Sequence, residues 1–363
     1  MSKSGKILLI LNLPPPYGGG EIRSEYLYKR LNGNEDYIII SNSRKKSNKS
    51  TQGKLTFYNI FFGIKIFAKA VYYIVFFRPK KLFLGIPKQF KPFTRTALII
   101  GVASVFRIKI NGELAGDSFV FLNKDNYQKK IGLFFLRKIT EIRVLGESIK
   151  NKLSQFQICK LVVIDNGIYV PKNIKSCRDN FSNPLKLLFV GAVNYSKGIK
   201  NLVECANLLK KEDINIRLDI MGEWSNTSQK EEIINYIKNN RLEDIITFHG
   251  LVTTEEKWKT YENNSILVHP TFWDGQPLVI LEAMGCGLAI ISTKVGAIPD
   301  TMQNDYNGTI LPENNPTELC NAIKKYYNNR EMIKTVSKNN IKTYHERYTI
   351  DSYILRMIKW LEA

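Results

Sequence analysis

The chain has 363 residues, 44% of them hydrophobic, and a formal net charge of +20; it is long for one domain, comfortable for two, and apolar enough for ordinary cores. The charge is uneven: residues 1–167 carry 29 Lys and Arg against 10 Asp and Glu, a balance of +19, whereas residues 168–363 balance at +1. A basic half joined to a near-neutral half predicts two domains with different partners, the basic one facing nucleic acid, an anionic membrane or an acidic substrate. Five dispersed cysteines with no C-x-x-C argue against a disulfide scaffold or zinc site and for reduced thiols in a cytosol.

In chain order, Ile7 to Leu11 is an apolar run too short for a signal peptide and suited to a first buried strand. It enters the loop PPPYGGGE, with Gly18, Gly19 and Gly20, and then a helix from about Ile22 to Leu31. Strand, glycine loop and helix make a nucleotide-type βα unit, without the G-x-G-x-x-G spacing of a dinucleotide fingerprint. A second strand, Tyr37 to Ser41, leads to a basic loop holding Arg44, Lys45, Lys46, Lys49 and Lys54. Phe57 to Phe77 has helical spacing, and its most apolar part, Ile66 to Phe77, is interrupted by Lys69 and falls short of the roughly 20 residues a bilayer needs. Arg78 to Ile86 contains a third strand, Ile99 to Phe106 a helix and Arg107 to Asn111 a strand. Phe121 to Leu136 is predicted helical, Glu141 to Leu145 a strand, Ser148 to Phe156 a helix and Lys160 to Ile164 a strand.

The Asn166-Gly167-Ile168 turn and the Pro-, Asn- and Ser-containing stretch to Pro184 read as a linker. Beyond it, strand Leu185 to Val190, loop GAVNYSKG and helix Ile199 to Lys210 open a second alternating series. That series runs through strand Ile216 to Met221, helix Glu231 to Asn239, strand Ile246 to His249 and helix Glu255 to Glu262, which predicts a second doubly wound α/β domain. Helical segments from Thr317 to Leu361 complete the chain.

The second domain is organised around Ser265 to Pro299. A short apolar strand, Ile266 to Val268, is followed by the turn His269 to Gln276. Pro277 then opens a helix that ends at Gly285 and Gly287. Proline suits a first turn because its missing N–H would be unpaired there. The helix start offers free amides to anions, phosphates above all. Asp274 and Glu282 flank it, eight positions apart.

The string HPTFWDGQPLVILEAMGCG resembles the signature of the retaining glycosyltransferases of family four, E-x7-E set among HPS, G-x-P-L-V and E-A-M, with Asp274 as the first acid. The resemblance implies a GT-B fold: two doubly wound Rossmann-like domains facing across a cleft. They would be an acceptor-side domain at 1–167 and a nucleotide-sugar domain at 168–345, with 346–363 crossing back to the first. It implies transfer of a sugar from a nucleotide sugar to a glycan or lipid-linked glycan in surface-polysaccharide biosynthesis, with no metal and no cofactor. By the same resemblance Glu282 holds the ribose, Asp274 lies near the donor sugar, the amides near Pro277, Leu278 and Val279 meet the diphosphate, and Gly275 belongs to the donor-binding set. Lys197, in VGAVNYSKG, matches the lysine that neutralises the diphosphate, and Gly191 belongs to that loop. Gly18, Gly19 and Gly20 lie beside the donor, and Gly222, Glu223 and Leu251 surround the base. Two positions depart from the pattern: Ala192 stands for an arginine and Asn111 for a histidine, so Asn111 is the first domain's candidate near the sugar. Each position also has a bland alternative, a solvated lysine, a turn aspartate or an ordinary glycine turn. Two rival functions remain: a non-catalytic nucleotide-sugar-binding or scaffolding partner, and, on charge alone, a nucleic-acid binder without a recognisable module. The expected location is cytoplasmic, with peripheral attachment to the inner face of the plasma membrane through the basic first domain.

Overall fold

The computed structural model describes residues 5–15, 18–42, 57–174, 183–252 and 254–363. The loop cations Arg44, Lys45, Lys46, Lys49 and Lys54, and part of the expected linker, lie outside them. The chain forms two compact units, residues 1–167 with Ile350–Ala363, and Ile168–Thr349. Residues 346–349 thus stay with the second unit.

The first unit is β1 (Ile7–Leu11), α1 (Gly19–Leu31), β2 (Tyr37–Ser41), α2 (Phe57–Tyr72), β3 (Lys81–Gly85), α3 (Phe90–Val105), β4 (Lys109–Glu113), α4 (Tyr127–Leu136), β5 (Glu141–Val144), α5 (Glu147–Ser154) and β6 (Lys160–Val163). All six strands are parallel, in the order β2-β1-β3-β4-β5-β6. Ile7 is in register with Tyr37 on one side and Lys81 on the other. β1 is buried at every residue, as expected of a strand covered on both faces, which is why it reads as a continuous apolar run. Right-handed crossovers put α1 on one face and α2, α3 and α4 on the other.

The second unit is β7 (Leu185–Val190), α6 (Ile199–Lys211), β8 (Ile216–Met221), α7 (Thr227–Asn239), β9 (Ile246–Gly250), α8 (Thr254–Glu262), β10 (Ile266–His269), α9 (Leu278–Cys286), β11 (Ala289–Ser292), α10 (Ile298–Thr301), β12 (Gly308–Ile310), α11 (Pro316–Asn328) and α12 (Glu331–Thr343). Its parallel sheet runs β12-β11-β10-β7-β8-β9. The last helix, α13 (Ile350–Glu362), belongs to the first unit. Its Tyr353, Met357, Trp360 and Leu361 join Ile7, Leu9, Leu27 and Phe83 in one core. No helix among the described residues is long and apolar enough to cross a membrane.

Several boundaries differ from expectation. The helix predicted from Ile99 begins at Phe90, because Pro92 sits in its first turn, where no N–H is missed. The helix predicted from Ile22 begins at Gly19, so Gly19 and Gly20 are helical and only Gly18 caps. The run predicted helical over 57–77 ends in a π-helical turn, Tyr73–Phe77. Pro277 is the extended residue before α9 rather than its first helical one.

Candidate active site

In an open parallel sheet, ligands bind beyond the carboxyl ends of the strands where the strand order reverses. In the second unit that place is between β7 and β10, so the loops after Val190 and His269 lie side by side. The β7 loop is shaped by Asn194, whose side-chain oxygen accepts from the Lys197 amide at 3.0 Å and the Ser196 hydroxyl at 2.7 Å. Gly198 then starts α6 with φ +81, and a Cβ there would stand 1.9 Å from the Pro270 carbonyl oxygen. Only glycine lets the two loops approach this closely. The contact is extended by the Phe272 amide, which donates to the Ser196 carbonyl at 2.9 Å.

The approach brings together two of the predicted residues. Lys197 Nζ donates to Asp274 Oδ2 at 2.5 Å and to the Trp273 carbonyl at 3.2 Å. His269 Nε2 lies 3.2 Å from the same Asp274 oxygen. Burial opposes ionisation of Asp274, yet the His269 and Lys197 contacts outweigh it and hold the carboxyl at about 2. His269 is the last residue of β10, in register with Ser292, rather than part of the turn. It is buried, and its Nδ1 has no hydrogen-bond partner among the described residues. Behind Asp274 sits Gly296, with φ +56, where a Cβ would meet the Asp274 and Gly275 carbonyl oxygens at 2.2 and 2.4 Å.

From this turn the chain enters α9, whose first-turn amides, at Leu278 and Val279, have no partner within the helix. Glu282, one turn further on, is buried. Its Oε1 accepts from Lys257 Nζ at 2.6 Å and its Oε2 from the Tyr261 hydroxyl at 2.7 Å. Both donors come from α8, which sequence reasoning did not connect to Glu282. Each carboxylate oxygen has a second lone pair, so the group retains capacity for a ligand hydroxyl.

The loops after β7, β8 and β9 are stitched together. The Gly191 amide donates to the Met221 carbonyl at 3.0 Å, Val193 to Glu223 at 2.9 Å and Gly222 to Gly250 at 2.7 Å. Leu251, next in the chain, is exposed. This shelf borders the Lys197 loop.

Asn111 and Gly18, Gly19 and Gly20 belong to the first unit. Asn111 is buried in β4, and its side-chain nitrogen has no hydrogen-bond partner among the described residues. Beneath the glycine start of α1 lies a cluster that no sequence pattern announced. Arg23 Nε donates to the Gly19 carbonyl at 3.1 Å, and Arg23 pairs with Glu113 at 3.2 Å. The fully buried Arg143 also pairs with Glu113, and donates to the Asn166 side chain at 2.9 Å and to the Ile164 carbonyl at 2.9 Å. Paired buried charges of this kind hold geometry, and removing one partner leaves the other stranded.

The architecture is GT-B: two doubly wound units, each on a six-stranded parallel sheet. Residues 172–343, nearly the whole of the second unit, match the family model of glycosyl transferases group 1. The chain is 26% identical over 235 residues to the uncharacterized glycosyltransferase MJ1178 of Methanocaldococcus jannaschii, covering 64% of this chain and 63% of that protein. It is 24% identical over 227 residues to the capsular polysaccharide biosynthesis glycosyltransferase CapM of Staphylococcus aureus, covering 62% and 56%. It thus spans less than two thirds of either relative. Among solved structures, Anabaena Alr3699/HepE in complex with UDP and glucose superposes with a TM-score of 0.71 at 14% identity, over 98% of this chain and 99% of that one.

Proposed function

We propose that the protein is a retaining, metal-independent glycosyltransferase that moves a sugar from a nucleotide-sugar donor to a glycan or lipid-linked glycan acceptor in surface-polysaccharide biosynthesis, on the cytoplasmic side of the membrane. The observation that carries the reading is the grouping of Lys197, Asp274 and the α9 N-terminus at the switch point of the unit that matches this family model. When the bond between sugar and diphosphate breaks, negative charge grows on the diphosphate. An ammonium and a helix N-terminus already in place stabilise that charge without reorganising. Lys197 and the Leu278 and Val279 amides take that role, Glu282 the ribose, and Asp274 the sugar.

In the described state Lys197 is engaged by Asp274. An arriving diphosphate draws the ammonium away, and a sugar hydroxyl donating to Asp274 replaces the lost donor. The relatives' names support the substrate class, as does the UDP and glucose of Alr3699/HepE. The second reading, a non-catalytic binder of nucleotide sugars, is favoured by Ala192, which lacks the bidentate phosphate donor an arginine would give. A panel of nucleotide sugars, assayed for binding by calorimetry and for slow hydrolysis, tests both. Binding with hydrolysis or transfer supports the enzyme, binding without turnover under any acceptor supports the scaffold, and no binding of any nucleotide overturns both.

A further inference from the structure

We infer that the outer face of α2, α3 and α4 docks onto an anionic phospholipid bilayer; the inference stands apart from the transferase reading. α3 packs against both α2 and α4, so their outward stripes lie side by side. On α2, Ile66 and Ala70 are buried toward the sheet, while Phe61 (72% exposed), Ile64 and Tyr72 point away from it. The π-helical turn continues that stripe with Phe76, 73% exposed. Tyr72 and Phe76 form a surface aromatic pair with ring centroids 5.1 Å apart. On α3 the outward residues include Leu98 (57%) and Val105 (78%), and on α4 they include Ile131 and Phe134 (59%). Single exposed apolar residues are ordinary, but stripes on three adjacent helices mark an interaction surface.

Charge identifies the partner. Between Asp36 and Glu113 the chain has fifteen Lys and Arg and no Asp or Glu. Lys65 and Lys69 are exposed on the same α2 stripe as Phe61, Ile64 and Tyr72. On α4, Lys130, Phe134, Arg137 and Lys138 line a surface hollow of about 490 Å³, with Lys138 Nζ 4.6 Å from the Phe134 ring centroid. Cations beside aromatic and aliphatic side chains match a headgroup layer of phosphates over an acyl boundary. A nucleic acid would use the cations and rings but leave Ile64, Leu98, Val105 and Ile131 facing water. A lysine's apolar stem can rest at such a boundary while its ammonium reaches the phosphates.

The test is sedimentation of the full chain with vesicles of 30% phosphatidylglycerol in phosphatidylcholine, and of phosphatidylcholine alone, at 0.1 M and 1 M salt. Binding is expected to the anionic vesicles only, and to fall at 1 M salt, where the screening length shrinks from about 10 Å to about 3 Å. Each cation near such a surface contributes about fivefold, so Lys65→Gln with Lys69→Gln and Lys130→Gln should weaken binding on the order of 100-fold. Phe76→Ser with Leu98→Ser and Phe134→Ser should weaken it at least about tenfold. These side chains are exposed, so both triple variants should melt within a few degrees of the parent. Equal binding to neutral vesicles, no binding to anionic ones, or parental binding by either variant would overturn the inference. So would tighter binding to a 30-nucleotide single strand than to anionic vesicles, or a dimer that the apolar triple variant dissolves.

Discussion

Replacing Asp274 by asparagine removes the one charge that Lys197 and His269 both contact, at 2.5 and 3.2 Å. Burial alone would raise the carboxyl's pKa, but the two partners bring it from 3.8 to about 2. At 1.36 kcal/mol per pH unit the difference is about 2 kcal/mol of stability at neutral pH. Because the folded value lies below the unfolded one, this contribution is fully present above about pH 4 and is lost as pH falls through 2. Trp224, Trp258 and Trp273 lie in the second unit and Trp360 in the first, so urea unfolding followed by tryptophan emission reports mainly the unit that holds the pair. Asp274→Asn should be about 2 kcal/mol less stable at pH 7 and pH 5, and the deficit should shrink to about half at pH 3. A variant as stable as the parent at pH 7, or a deficit that does not shrink in acid, refutes the electrostatic account. Under the proposed function the same variant lowers turnover and leaves free-nucleotide affinity nearly intact, because only the sugar meets Asp274.

Three further outcomes are expected. Glu282→Gln should weaken nucleotide and nucleotide sugar alike, at least about tenfold by calorimetry, because it strands the Lys257 ammonium and turns an amide donor toward it; equal affinities would remove Glu282 from the site. Lys197→Ala should cost at least about tenfold in turnover, as removal of a charge donor to the leaving diphosphate does, and Ala192→Arg should raise turnover if the absent guanidinium limits the rate. Gly198→Ala should destabilise the second unit by at least about 2 kcal/mol in the same urea assay, since it combines a positive φ with a backbone clash; a variant of parental stability would show that the loops are free to part.

Much of the fold was readable because parallel strands buried on both faces are continuous apolar runs, as ILLIL is and as LKLLFV is but for Lys186. The Pro277 to Gly287 helix was readable from its punctuation. Boundaries slipped where one residue type has two meanings: Pro92 looks like a breaker and is a tolerated first-turn proline. The π-helical turn at Tyr73–Phe77 left no trace, since its residues keep the apolar spacing of the helix before it. Within the candidate site, Lys197 and Asp274 were singled out by motif, but their ion pair was not. It depends on two loops 77 positions apart being brought together by strand order. The same holds for Lys257 and Tyr261 on Glu282, and for Arg143, an arginine in a four-residue strand whose alternation says nothing about partners 21 to 30 positions away.

The place of α13 bears on how the chain is made. A ribosome releases the first unit's six strands long before Tyr353, Met357, Trp360 and Leu361, which complete their core. Until those last residues emerge, the apolar side of β1 and α1 lacks its cover, while the whole second unit is already available to fold. The first unit is therefore begun before the second and finished after it, and the interval is one in which Ile7, Leu9 and Leu27 invite chaperones or aggregation. Deletion of residues 353–361 should accordingly be felt in the first unit, as loss of order in the sheet that holds β1.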